Sequence, residues 1–168
     1  MNGGSSIQMA TFEFTGLDKY LAQLDELGEK ANGLCKRALY DGAAVVANAV
    51  REEVQGLVTT DRNAKDGDPQ LPFEYEKDGL LESLGIAKMS EENGYISTQI
   101  WFDGYNRMKS KKYPQGHPNM MVARAINSGT SKRPKNPFMN RAVKKAKAKA
   151  EAAMDARLSA DIEQIMVK

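Results

Sequence analysis

Cysteine occurs once in the 168 residues, at Cys35, and histidine once, at His117. A lone cysteine excludes an intrachain disulfide and any cysteine-built metal cluster. A lone histidine excludes the HExxH arrangement, which needs two imidazoles one helical turn apart. No apolar run approaches the roughly 18–20 residues of a membrane-spanning helix. The opening MNGGSSIQM lacks the basic and apolar regions of a secretory signal. The expectation is a chain made in the cytoplasm, with Met1 and Met9 both open as its start.

Motifs of chemistry are equally scarce. There is no nucleophile elbow, no P-loop and no GxGxxG. The stretch NSGTSK at 127–132 has glycine, threonine and lysine but not the GxxxxGK[ST] spacing that cradles phosphate. His117 stands in PQGHP, a polar setting for a surface imidazole. Asp61, Asn63, Asp66 and Asp68 suggest a calcium loop, but Lys65 and Asp66 stand where the EF-hand needs an oxygen ligand and a glycine. No catalytic residue, metal site or cofactor is expected. Cys35, among Ala and Leu, is expected to be a buried small side chain.

Acidic residues are missing from one long segment. Residues 1–103 hold 9 Lys/Arg and 18 Asp/Glu, 104–150 hold 13 and none, and 151–168 hold 2 and 4. The balance runs −9, +13, −2 beneath a net charge of +2. Solvated surfaces usually mix both signs. Such polarity points to an anionic partner, either nucleic acid or the acidic part of a neighbouring copy.

What is present is an ordinary globular pattern. Residues 1–9 are expected as a flexible arm, followed by one α+β domain over 10–168. ATFEFTG alternates as a short strand. Leu17, Tyr20, Leu21, Leu24 and Leu27 recur at helical spacing. Gly28 and Gly33 predict a break, after which a second helix runs from about Ala31 to Val54. Its Leu34, Cys35, Ala38, Leu39, Ala43, Val46, Val50 and Val54 are candidate core residues. Residues 56–79 and 103–118 are expected as long loops. Asn93-Gly94 between two alternating runs predicts a hairpin with a type I′ turn. Ile96, Thr98, Ile100 and Phe102 share its core face, and Tyr95 and Trp101 suggest a second covered face. Met120–Asn127 is a short helix or strand ended by Gly129. Asn136 is the expected N-cap of a last helix that opens at Pro137 and runs to about Ile165. The expected architecture is a small, mainly antiparallel sheet packed against two N-terminal helices and a long C-terminal helix.

Four stretches, taken in order, resemble a known family. FEFTGLDKYLAQLDEL is similar to an opening strand, Gly-Leu turn and Leu-rich helix. KRALYDGAAVVANAVREEV is similar to an Ala-rich second helix. KDGLLESLGI resembles a Thr-Gly-x-Leu-x-x-Ser-Ile pattern leading into a hairpin, with Asp78 in place of the threonine. ARAINSGTSKRPKNPFMNRAV resembles a closing Gly-Thr and Pro-Phe pattern, with Asn127-Ser128 before it instead of Glu-Phe. Together they resemble the small tail-completion or head–tail joining proteins of long-tailed bacteriophages, which include relatives of the minor tail protein Z of phage lambda.

The resemblance implies a structural, non-enzymatic virion protein at the neck, made in the host cytoplasm. Copies would form a ring at the head-proximal end of the tail, with other neck and tail proteins as partners, transient contact with genomic DNA, and no membrane. It implies structural roles for Gly79, Leu81, Gly129, Thr130, Pro137 and Phe138. The expected assembly or DNA-facing surface is basic: Arg107, Lys109, Lys111, Lys112, Lys132, Arg133, Lys135, Arg141, Lys144 and Lys145. A nucleic-acid-binding module using residues 107–149 stays open beside it, because phosphate contacts need only cations within reach.

Overall fold

The computed structural model describes residues 17–61, 63, 67–68 and 70–167. Its elements are α1 (Leu17–Gln55), α2 (Glu74–Ser83), β1 (Leu84–Ile86), β2 (Ser90–Glu92), β3 (Tyr95–Ser97), β4 (Ile100–Phe102), α3 (Asn119–Ser128) and α4 (Phe138–Met166). The fold is mixed α+β, framed by its two long terminal helices. The expected strand at 10–16 and the arm at 1–9 lie outside the described residues.

The sequence builds α4 from alanine. Phe138, Ala142, Ala146 and Ala150 recur every fourth residue and are all buried. Small side chains on this face let α1 come close, and the two helices run antiparallel in the most extensive contact of the molecule. Gly42 marks the tightest approach. A Cβ there would lie 2.7 Å from Met154 Cγ and 3.4 Å from the Ala150 carbonyl oxygen.

Above this pair sits the core. Val50 and Val54 of α1 meet Leu80 of α2, Phe102 of β4, Ile126 of α3 and Phe138 of α4. Phe102 and Phe138 pack edge to face with centroids 6.3 Å apart. Full burial of such side chains stabilises by roughly 1.5–3 kcal/mol each. Gly129 has φ 77°, and a Cβ there would lie 2.8 Å from the Lys135 nitrogen, so only glycine fits where the chain turns from α3 toward α4.

Several expectations need correction. The two N-terminal helices are one continuous helix through Gly28 and Gly33. Each glycine costs about 1 kcal/mol, but the buried Leu34 and Ala38 that follow hold the helix in register. Cys35 is exposed, because α4 covers only the neighbouring stripe of α1. The loop expected at 56–79 contains the start of α2. Its first turn is closed by the Glu76 carboxylate, which accepts the Phe73 N–H at 2.8 Å.

The sheet is two two-stranded antiparallel pieces. β1 pairs with β4 through Leu84↔Phe102, Gly85↔Trp101 and Ile86↔Ile100. β2 pairs with β3 through Ser90↔Ser97, Glu91↔Ile96 and Glu92↔Tyr95. The predicted long strand from 95 to 102 divides at Thr98, whose hydroxyl donates to the Ala87 carbonyl at 2.7 Å. The turn is as expected, with positive φ at Asn93 (52°) and Gly94 (79°). The alternation also holds, since Phe102 is buried while Tyr95 and Trp101 are exposed. The expected cover over those two aromatics is not present within the described residues. Asn136 does not cap α4; Pro137 occupies that position without a side-chain bond. Asn127 of α3 acts instead, its Oδ1 accepting the Met139 N–H at 3.0 Å.

Candidate assembly surface

The structure sorts the acid-free segment into two sets of cations. The first set is neutralised inside the chain. Arg141 donates to Glu53 at 2.8 Å and Lys145 to Glu52 at 2.8 Å, both bridging α4 to α1. Farther along, Arg157 meets Asp41 at 2.6 Å, and Arg37 meets the buried Asp161 at 2.8 Å. Antiparallel packing sets the acidic pair Glu52–Glu53 at the end of α1 beside the basic start of α4, and farther along it brings Asp41 to Arg157 and Arg37 to Asp161. The hydrogen bond and charge of Lys145 hold the Glu52 carboxyl below the usual range, and the same bond raises the Lys145 ammonium.

Arg133 is drawn inward. Its guanidinium donates to Glu76 at 3.0 Å and to the Leu71 carbonyl at 3.2 Å, and it lies over the Phe73 ring at 5.9 Å. Both side chains of the ion pair are 13% exposed. The basic turn expected at the surface therefore presents Lys132 and Lys135, while Arg133 ties that turn to α2. Thr130 organises it, its Oγ1 accepting the backbone N–H groups of Lys132 and Arg133 at 3.3 and 3.1 Å.

The second set is free. Lys109, Lys111, Lys112, Lys132, Lys135 and Lys144 are exposed, and among the described residues none makes an ion pair. Lys112 lies over the Tyr113 ring at 5.5 Å. Arg107 has a distant, exposed partner in Asp78 at 3.9 Å. Three of these lysines belong to the loop between β4 and α3. That loop, expected as a long one, is tied by the buried Asn106. Its Oδ1 accepts the N–H groups of Met108 and His117 at 3.0 and 3.1 Å, and its own N–H donates to the His117 carbonyl at 2.9 Å. Gly116 has φ 118°, and a Cβ there would collide with the Asn106 carbonyl oxygen. His117 serves this loop through its backbone, and its ring packs on Tyr113.

The other residues expected to matter are structural. Gly79 lets α2 pass over Asn119, whose Oδ1 would lie 2.9 Å from a Cβ. Leu81 packs on the core, and Phe138 is fully buried. Among the described residues no group of three or more His, Cys, Asp or Glu is placed to hold a metal ion, and no helix is long and apolar enough to cross a membrane.

The composition gave no notice of one further feature. Leu21 and Leu24 are 49% and 42% exposed on the first turns of α1, and Ile162 is 37% exposed near the end of α4. Sequence periodicity marks the α1 leucines as apolar, but it carries no information on where α4 stops. No family model, curated protein or solved structure matches the chain.

Proposed function

We propose that this chain is a structural virion protein, a tail-completion or head–tail joining component that forms a ring at the head-proximal end of a phage tail. The observation that carries the reading is the sorting of charge. Arg133, Arg141 and Lys145 are used up within the fold, whereas Lys109, Lys111, Lys112, Lys132 and Lys135 are exposed and make no ion pair among the described residues. A ring needs such unused complementary surfaces, because heterologous contacts close when the rotation between copies fits. The Gly129-Thr130 turn and the Pro137-Phe138 start of α4 support the family resemblance as structural positions. No catalytic residue enters this role, and other neck and tail proteins are its further partners.

The test is location. A C-terminal tag on the chain, labelled and imaged in purified particles from its source, is expected at the head–tail junction. Intact particles lacking the protein would refute the reading.

A second reading is favoured by the same free lysines beside the exposed Tyr105: nucleic-acid binding through residues 107–149. It requires DNA affinity of the isolated chain that falls steeply with salt. Absence of binding at low salt would exclude it.

A further inference from the structure

The core-facing stripe of α1 does not stop where the core stops. At about 100° per residue, Leu21, Leu24, Gly28, Ala31 and Cys35 lie on one line that continues into the buried Gly42, Ala49 and Val50. Over Val50 the line is covered by the rest of the fold; Leu21, Leu24 and Gly28 are exposed among the described residues, and β2 reaches this half of α1 only beyond them, where Glu91 accepts from Asn32 and Lys36 at 2.8 and 2.9 Å. Gly28 would meet nothing within 4 Å of an added Cβ, and Cys35 is exposed. Ile162 of α4 stands at the level of Cys35, because Arg37 and Asp161 are joined there. One flank of the stripe carries Asp25 and Glu29, which are exposed and make no ion pair among the described residues.

The loop between β4 and α3 has the opposite character. Lys109, Lys111 and Lys112 are exposed and without ion pairs among the described residues, and the two ends of this loop carry the exposed Tyr105 and Met121, joined through Pro118, which bridges to Tyr105 and accepts the Met121 N–H at 3.0 Å. The Tyr113 hydroxyl bonds Met121 Sδ at 3.5 Å, which places this apolar edge next to the lysines. The two surfaces lie far apart in one chain. The loop is fixed to the core end through Asp103 and Asn119, whereas Leu24 lies 26 residues before Val50, about 39 Å along the helix.

We propose that the open stripe of α1 is an interface for a second copy of this chain: Leu21, Leu24 and Cys35 take the Tyr105–Met121 edge, and Asp25 and Glu29 pair with Lys109, Lys111 and Lys112. The proposal rests on the reading of the chain as a ring component and names its subunit contact. The contact is head-to-tail, since each copy offers one surface of each kind, and repetition of such a contact closes a ring or extends a filament.

The test mixes isotopically labelled and unlabelled full-length protein and joins touching carboxylates and lysines with a carbodiimide. The expected result is mixed-isotope links from Asp25 or Glu29 to Lys109, Lys111 or Lys112, lost at high salt. They are also lost in the K109E/K111E/K112E variant and restored when that variant carries D25K/E29K. Alkylation of Cys35 provides an independent measure. It is expected to slow with rising protein concentration, about tenfold when nine-tenths of the chains are assembled, and not to slow in L21D/L24D. A chain that remains monomeric at its highest soluble concentration overturns the proposal. So do interchain links confined to other pairs, symmetric Cys35–Cys35 proximity, or protection of Cys35 by residues 1–16 of the same chain. Neck location without these links leaves the proposed function standing and the contact refuted; the links without neck location do the reverse.

Discussion

Replacing Glu76 by alanine tests whether Arg133 belongs to the interior of the fold. The carboxylate holds two donors, the Arg133 guanidinium at 3.0 Å and the Phe73 N–H at 2.8 Å. Its removal deletes a hydrogen bond to a charged group, worth roughly 1.5–3 kcal/mol, and a helix-start bond worth about 1 kcal/mol. Arg133 keeps the Leu71 carbonyl and the Phe73 ring. The expected loss is about 3 kcal/mol, the low end of the range for breaking a buried ion pair, because some solvent still reaches both groups. Arg133→Met retains the bulk of the stem and is expected to cost about 2 kcal/mol, less because Glu76 keeps its amide partner. The double variant should lose less than the sum, by a coupling of about 1.5 kcal/mol. In urea, with a slope near 2 kcal/mol/M, the Glu76→Ala midpoint falls by about 1.5 M at unchanged slope. Single-variant losses below about 1 kcal/mol with no coupling, the behaviour of exposed pairs, would refute the placement. The same geometry makes charge reversal at Arg133 a test of folding, and leaves Lys132 as the clean probe of the surface.

Three further outcomes follow from the geometry. Gly28→Ala adds helix propensity into open space and should stabilise by up to about 1 kcal/mol. Gly42→Ala places its Cβ against Met154 and should be neutral or destabilising, so thermal midpoints of the two variants diverge. Gly116→Ala forces a methyl into the Asn106 carbonyl at positive φ. It should cost about 2 kcal/mol or more and raise amide exchange across 106–117, while exchange in the α1–α4 pair stays as it was. Acid should weaken the fold in a defined direction. Hydrogen bonds from Lys145 to Glu52 and from Lys36 to Glu91 hold both carboxyls below their ordinary range. Their contribution is complete above the unfolded carboxylate value and declines as pH falls through the lower folded values. Because both groups are exposed the effect is small, and Glu52→Gln with Glu91→Gln should flatten the acid limb of the urea-midpoint profile.

Features with a local cause are legible in the residues alone. Asn93-Gly94 adopts positive φ at both residues because little else tolerates it. The alternation after it sends Phe102 inward and Trp101 outward. Gly129 stands where the chain turns against its own backbone, and Phe138 opens the last helix and is fully buried. What these features meet is a matter of packing. Gly28 and Gly33 do not break α1, because Leu34 and Ala38 bury themselves just beyond and outweigh two unfavourable propensities. Cys35 sits on an apolar line, but exposure depends on which elements reach that line, and among the described residues none covers it.

The basic segment shows the same division. Its charge asymmetry follows from counting, thirteen cations without an acid, yet a count does not say which acids lie opposite. Antiparallel packing of α1 on α4 sets Glu52 and Glu53 against Lys145 and Arg141, and α2 brings Glu76 to Arg133. The lysines on the loop between β4 and α3 have no such neighbour among the described residues and stay free. Charge along a chain is a property of sequence, whereas neutralisation is a matter of a few ångströms, and only the fold sets those distances.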